Sequence, residues 1–426
     1  MPPNTRVKQC ESEKTSSHPL VHRGVALVFY VHHDCLQAQW DLEAYLEAAR
    51  AIRAGENPYP LPDENKEVFL TNLTIYVYPP LFARLLSPIA GFDATILKIG
   101  WLLLQCIAFE SLYWLGLRLL GRSPARITWL FFHALALLYD GVNTDMRAGN
   151  TALIEATILT AWAALHLSRP VLSGMLLGWL AAVKPLVVFV LIRDLVCRNF
   201  RPLLASTLAI LLLYGFMQLD GNLFSEYRTF LKSRTFQRIM DEHTVGIYNS
   251  ATVSVGFRLF TDQTLFKPLV NIPLLAYLFT FGAPIGLWLL VFSTWRKMEE
   301  AGIGSFDRNR LGFFLLLPTV LLTIPRVADY TLVWLLVPLF FGGWEAWEKR
   351  MPATLMLFGV AALIGNLPVR PSRLVELTYS YHLLHYRYVS LVLFWCGCCC
   401  LAWGRIRRQS REKRVSPPAD PDRQAT

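Results

Sequence analysis

The stretch "SGMLLGWLAAVKPLVVFVLIRDL", Ser173–Leu195, decides the class of fold. With its flanks it fills 170–197, longer than the roughly 20 residues one helix needs to cross a hydrocarbon core. Lys184 and Pro185 interrupt it near the middle. Proline lacks an N–H and its ring collides with the preceding turn, so a helix ends or kinks there. Arg169 precedes the stretch, and Arg193, Arg198 and Arg201 close it. Basic residues favour the cytoplasmic side of a membrane. The stretch therefore reads as two short helices that meet at Lys184 and have both outer ends in the cytoplasm.

Working outward, apolar runs recur at 94–118, 126–142, 149–167, 203–219, 268–293, 311–325, 330–346, 352–368 and 387–403. A weaker first span lies in 20–34, where only "GVALVFYV" is uninterrupted. Counting it gives about 12 helices with both termini cytoplasmic. The loops "GRSPAR", "LSRP", "RDLVCRNFR", "STWRKMEEAGIGSFDRNR" and "WEKR" then all fall inside. Composition agrees: 54% of the 426 residues are hydrophobic and 17% charged, against about 25% charged in soluble proteins. The expected fold is all-α and polytopic, in the cytoplasmic membrane. A single membrane domain occupies 20–404, after a cytoplasmic segment 1–19 and before a basic, disordered cytoplasmic tail 405–426. No signal-peptide cleavage pattern opens the chain. The net charge of +10 would suggest nucleic acid in a soluble protein. Here the basic excess lies largely in cytoplasmic-type loops and "RIRRQSREKR", so no nucleic-acid partner is expected.

The first outer loop, 41–93, opens with "WDLEAYLEAARAIRAGENPYP". Leu42, Tyr45, Leu46, Ala49 and Ile52 form one apolar face at helical spacing. Asp41 stands where an N-cap is preferred. "YVYPPLFARLLSPI", 76–89, has paired prolines and reads as a re-entrant or interfacial segment. A second outer loop covers 220–265. The outer side also collects Arg147, Arg228, Arg234, Arg238, Arg326, Arg370 and Arg373, with Lys184 and Lys232. Cations on that side are costly to insert and point to an anionic ligand. Lipid headgroups, or pairing with Glu226, Asp241 and Glu242, are the alternative.

"DLEAYLEAARAIRAGENPY" with "YVYPPLFARLLSPI" resembles the first outer loop of the family-87 glycosyltransferases. The resemblance continues through "MRAGNTALIEATIL", the Ser173–Leu195 stretch, "YNSATVSVGFRLF" and "IPRVADYTLVWLLVPLF", in the same order. It implies a GT-C membrane fold and a polyprenyl-phosphate sugar donor, typically mannose, with transfer to a glycolipid or glycan acceptor at the outer face. It also implies that Asp41 is the catalytic base, with Asp34 as fallback. A lipid phosphate leaves in this reaction, and fixed cations stabilise its developing charge. Lys184, Arg147 and Arg326 are the expected phosphate-binding residues, although Arg326 stands where many relatives carry a histidine-bearing motif. Arg147 could instead pair with Asp145. Tyr45, Tyr78, Asn150, Asn249 and Asp329 are candidate substrate-binding residues; Asn249 could alternatively serve only to turn the chain. A lipid-linked sugar transporter or flippase, or an outer-face ligase of lipid-linked glycans, is the competing function.

No cofactor or obligatory metal is expected. "HHD", His32–Asp34, is a weak metal motif, because adjacent helical residues point different ways. The "CGCCC" run, Cys396–Cys400, reads as small buried hydrophobes. His243, His382 and His385 read as interfacial residues, and Asn72 opens a glycosylation sequon.

Overall fold

A computed structural model describes residues 38–59, 76–218, 221–245, 249–262, 268–367 and 385–415. The first span, the His32–Asp34 motif, Asn72, Arg370, Arg373 and His382 lie outside the described residues. Regular structure is helical throughout the described residues. In order, the first helices are α1 (Trp40–Ala54), α2 (Pro80–Leu86), α3 (Ala94–Leu120), α4 (Arg126–Leu138), α5 (Asp140–Ala148) and α6 (Ala152–Leu165). α7 (Pro170–Val183), a 3-10 segment (Pro185–Val190), α8 (Leu191–Val196) and α9 (Phe200–Gln218) follow. α10 (Gly221–Lys232), α11 (Arg234–Val245) and α12 (Thr252–Phe260) occupy what the sequence suggested was a loop. The chain continues through α13 (Pro273–Glu300), which contains a π turn, and α14 (Ser305–Thr323). A 3-10 turn (Asp329–Leu335) leads into α15 (Leu336–Glu348), α16 (Pro352–Gly365) and α17 (Tyr386–Val415).

Four helices, α3, α9, α13 and α17, are long and apolar enough to cross a membrane. α4, α6, α7 and α16 are shorter apolar helices. The break at Lys184 is where the sequence put it. Its φ of −128° and ψ of 90° are extended, as the residue before a proline prefers.

Three expectations need correction. The run 126–142 is not one helix: Tyr139 is extended, and the Asp140 N–H donates to Asn366 Oδ1 at 2.7 Å rather than continuing the helical ladder. The run 330–346 begins as 3-10 helix. The tail expected to be irregular from 405 is helical to Val415, with the Arg405 guanidinium donating to Asp307 at 2.9 Å.

α14 forms the axis of the main core. Its residues from Asn309 to Leu322 are all buried, among them Phe313 and Phe314. α7 and α9 lie against each other through Gly174 and Gly178: a Cβ at these positions would come within 2.2 Å of Pro202 O and 2.4 Å of Ser206 O. Ser206 Oγ donates to Gly174 O at 2.8 Å. Small residues let helix backbones approach closely where lipid supplies no hydrophobic drive. A second apolar cluster lies under α1 and α2 and includes Tyr45, Tyr59, Tyr76, Phe82, Trp101 and Phe230. The Cys396–Cys400 run is mixed: Cys398 is buried and Cys400 exposed.

Candidate active site

α1 forms as its pattern dictates. Leu42, Tyr45, Leu46, Ala49 and Ile52 are buried, Glu43, Glu47, Arg50 and Arg53 are exposed, and Gly55 ends the helix with φ 75°. Asp41, however, is not its cap. The N-cap is Gln39, in the left-handed region at φ 31°, and its side chain makes no capping bond. The Asp41 carboxylate instead accepts from Asn150 Nδ2 at 2.7 Å.

Gly149 makes that contact possible. It ends α5 with φ 64°, and a Cβ there would stand 2.9 Å from Leu42 Cβ. Gln39 N–H donates to Arg147 O at 2.8 Å across the same junction. Asn150 is oriented by its own backbone: Thr151 N–H donates to Asn150 Oδ1 at 2.7 Å, so the NH2 group faces Asp41 and Tyr45. Asp145 accepts from the Ala152 and Leu153 N–H groups and so satisfies the start of α6. It therefore bonds backbone rather than pairing with Arg147. Burial pushes the Asp41 carboxyl up from its ordinary value, while the Asn150 hydrogen bond, Arg326 and Lys184 pull it back.

Lys184 stands half-buried at the junction between α7 and the 3-10 segment. Its Nζ donates to both carboxylate oxygens of Glu155, each at 2.8 Å. Glu155 is 2% exposed and also accepts from Thr151 Oγ1 at 2.5 Å and Trp334 Nε1 at 3.1 Å. The Lys184 ammonium stands 6.0 Å from the Tyr78 ring centre and 5.9 Å from that of Trp334. Sequence reading missed Glu155 and Trp334. The signal for Glu155 was available: a lone carboxylate inside the apolar run "TALIEATIL" calls for a buried partner.

Arg326 lies between α14 and the 3-10 turn, and its charge acts on Asp41. It makes no ion pair among the described residues. Asn249 supports this segment from behind. Its Oδ1 accepts from Val327 N–H at 2.9 Å and its Nδ2 donates to Pro325 O at 2.8 Å. Asp329 turns elsewhere and pairs with Arg387, which also donates to Asp140 at 2.8 Å. Burial pushes the Asp329 carboxyl up to about 6 against the pull of Arg387. Arg147 is exposed at the end of α5.

The floor of the site is aromatic. The Tyr45 ring meets Tyr78 and Phe82 edge-on at centroid distances of 5.4 and 5.0 Å. Tyr76 fixes the "YVYPP" turn: its hydroxyl donates to Pro79 O at 2.6 Å and accepts from Ala83 N–H at 3.0 Å. Tyr59 donates to Tyr78 O at 2.7 Å. Among the described residues no three His, Cys, Asp or Glu side chains converge as a metal site would require.

The structure thus brings together Asp41, Tyr45, Tyr78, Asn150 and Lys184, with the Arg326 charge acting on Asp41. Asn249, Asp329 and Arg147 stand apart from that group. A half-buried carboxylate among cations and aromatic rings suits proton abstraction beside an anionic leaving group. The model of glycosyltransferase family 87 matches residues 76–318. The chain belongs to that family and is a membrane glycosyltransferase. No curated protein and no solved structure matches it.

Proposed function

We propose that the protein transfers a hexose, mannose in the first instance, from a polyprenyl-phosphate sugar to a lipid- or glycan-linked acceptor at the outer face of the cytoplasmic membrane. Asp41 is the general base. It takes the proton from the acceptor hydroxyl as that oxygen attacks the anomeric carbon, while the bond to the lipid phosphate breaks. A raised carboxyl suits this work, because a base nearer the working pH drives proton transfer better. Arg326 and Lys184 meet the charge that develops on the departing phosphate, with Arg147 at the rim. The GT-C fold and about 12 membrane passes belong to this proposal.

The observation that carries the reading is the Asp41–Asn150 contact. The amide orients the carboxylate without a direct ion pair, and burial holds its carboxyl above the ordinary value. Reconstituted protein supplied with radiolabelled polyprenyl-phosphate mannose and a panel of glycolipid acceptors is expected to yield labelled glycolipid. Uptake of the donor across the bilayer without transfer would replace this reading with that of a transporter.

A further inference from the structure

Glu155 has no reacting part in this scheme, and its bonding explains why. Thr151, Lys184 and Trp334 all donate to its two oxygens. A carboxylate so occupied has little room to accept another proton, and a base needs that room. Lys184 is the group it serves. An ammonium carries three N–H donors; two go to Glu155, and the third has no acceptor among the described residues. The Tyr78 and Trp334 rings flank the ammonium. Trp334 also donates to Glu155 at 3.1 Å, so one indole orients the carboxylate and stands beside the amine.

We infer that Glu155 is a positioning residue for donor binding: it keeps Lys184 charged and turned so that the third N–H meets a phosphate oxygen of the donor. The inference rests on the proposed polyprenyl-phosphate donor. Arg326, which lacks an ion-pair partner among the described residues, supplies the other contact. The Lys184–Glu155 pair is neutral as a unit, so the empty site avoids facing two uncompensated cations.

Two readouts test this. The first needs no turnover: the pH at which the Lys184 amine begins to react with acetic anhydride, followed by mass spectrometry in nanodiscs. Removing the carboxylate charge while keeping the shape, in Glu155→Gln, is expected to move that onset down by about 1–3 pH units, since an adjacent opposite charge shifts a titration by that much. An unchanged onset overturns the coupling. The second readout is the pH profile of kcat/KM for the donor. In Glu155→Gln the loss of activity on raising the pH is expected to begin at a lower pH than in wild type. In a Lys184→Met background, Glu155→Gln should add no further effect, and additive losses would overturn action through Lys184.

Glu155→Asp serves if the glutamine variant does not fold. It keeps the charge but withdraws it by one methylene, so the labelling onset should hold while the donor KM rises several-fold. An unchanged KM in that variant overturns the positioning role. Should wild type transfer no sugar from any polyprenyl-phosphate donor, the proposed function falls, while a shifted labelling onset still upholds the Glu155–Lys184 coupling.

Discussion

The two ends of α3 hold clusters of charge that are satisfied in different ways. The helix has 27 residues, about 40 Å at 1.5 Å per residue. Beyond its last turn, charges meet charges. Arg310 bridges Asp307 at 2.8 Å and Glu345 at 2.9 Å, Arg405 donates to Asp307 at 2.9 Å, and Arg122 pairs with Glu348. A cavity of about 180 Å³ lies among them. Near its first turns, Asp41 is held by an amide and Arg326 makes no ion pair among the described residues, while Lys98 ties α1 to α3 through Glu43 at 2.6 Å. Mutual pairing fixes helix ends. Charges left with neutral partners remain available to a ligand.

Asp41→Asn cuts deepest into that contrast. It keeps the size and the helix position but removes the proposed base, so transfer should fall by about 10²–10⁴-fold with the melting temperature close to wild type. Full turnover in a donor assay would reduce Asp41 to a structural residue.

The two cations come next and should separate. Lys184→Ala leaves Glu155 buried without its counter-charge, which costs about 3–5 kcal/mol of stability. Both folding and donor use should suffer. Arg326→Ala strands no such partner, and should weaken donor use by about 1.5–3 kcal/mol with little change in thermal stability. Equal losses of stability in the two variants would erase the distinction.

Asn150→Ala tests a smaller effect. Its hydrogen bond favours the charged form of Asp41, so losing it raises the carboxyl further. As the proposed base, Asp41 must be deprotonated to act, and the acid limb of the kcat/KM profile should therefore move to higher pH. A limb that moves down would contradict the assignment. At the opposite end, Arg122→Ala breaks a partly exposed pair and should cost no more than about 1 kcal/mol, with transfer unaffected. A large loss of transfer there would mean that the two ends do not divide as described.

Much of this was legible in the chain, and the reasons differ by residue. Lys184-Pro185 announced its break because proline acts locally, whatever the fold around it. The apolar face of α1 was visible because burial repeats at helical spacing. The Asp41–Asn150 contact was not, since it joins residues 109 positions apart through a glycine turn. Asn150 and Asp41 could be named from the family resemblance, but their bond could not. Asp329 looked available beside Arg326 because its partner Arg387 lies in a different helix. Lys184 looked like a free cation for the same reason, until Glu155 met it from α6.

The aromatic floor bears on a competitor of the acceptor, water. Its hydroxyls are engaged within the protein: Tyr59 with Tyr78 O, Tyr76 with Pro79 O, and Tyr45 with the Tyr78 hydroxyl at 3.4 Å and with Asn150 Nδ2 at 3.0 Å. The Tyr45, Tyr59 and Tyr76 rings are buried against one another, so the layer beneath Asp41 leaves little room for water. In the proposed reaction, water is a rival nucleophile to the acceptor sugar, and a site that excludes it suppresses that side reaction. Activated sugar bound over these rings should therefore outlast many catalytic cycles when no acceptor is present. The same tyrosines that pack beneath Asp41 would protect the donor from being spent on hydrolysis.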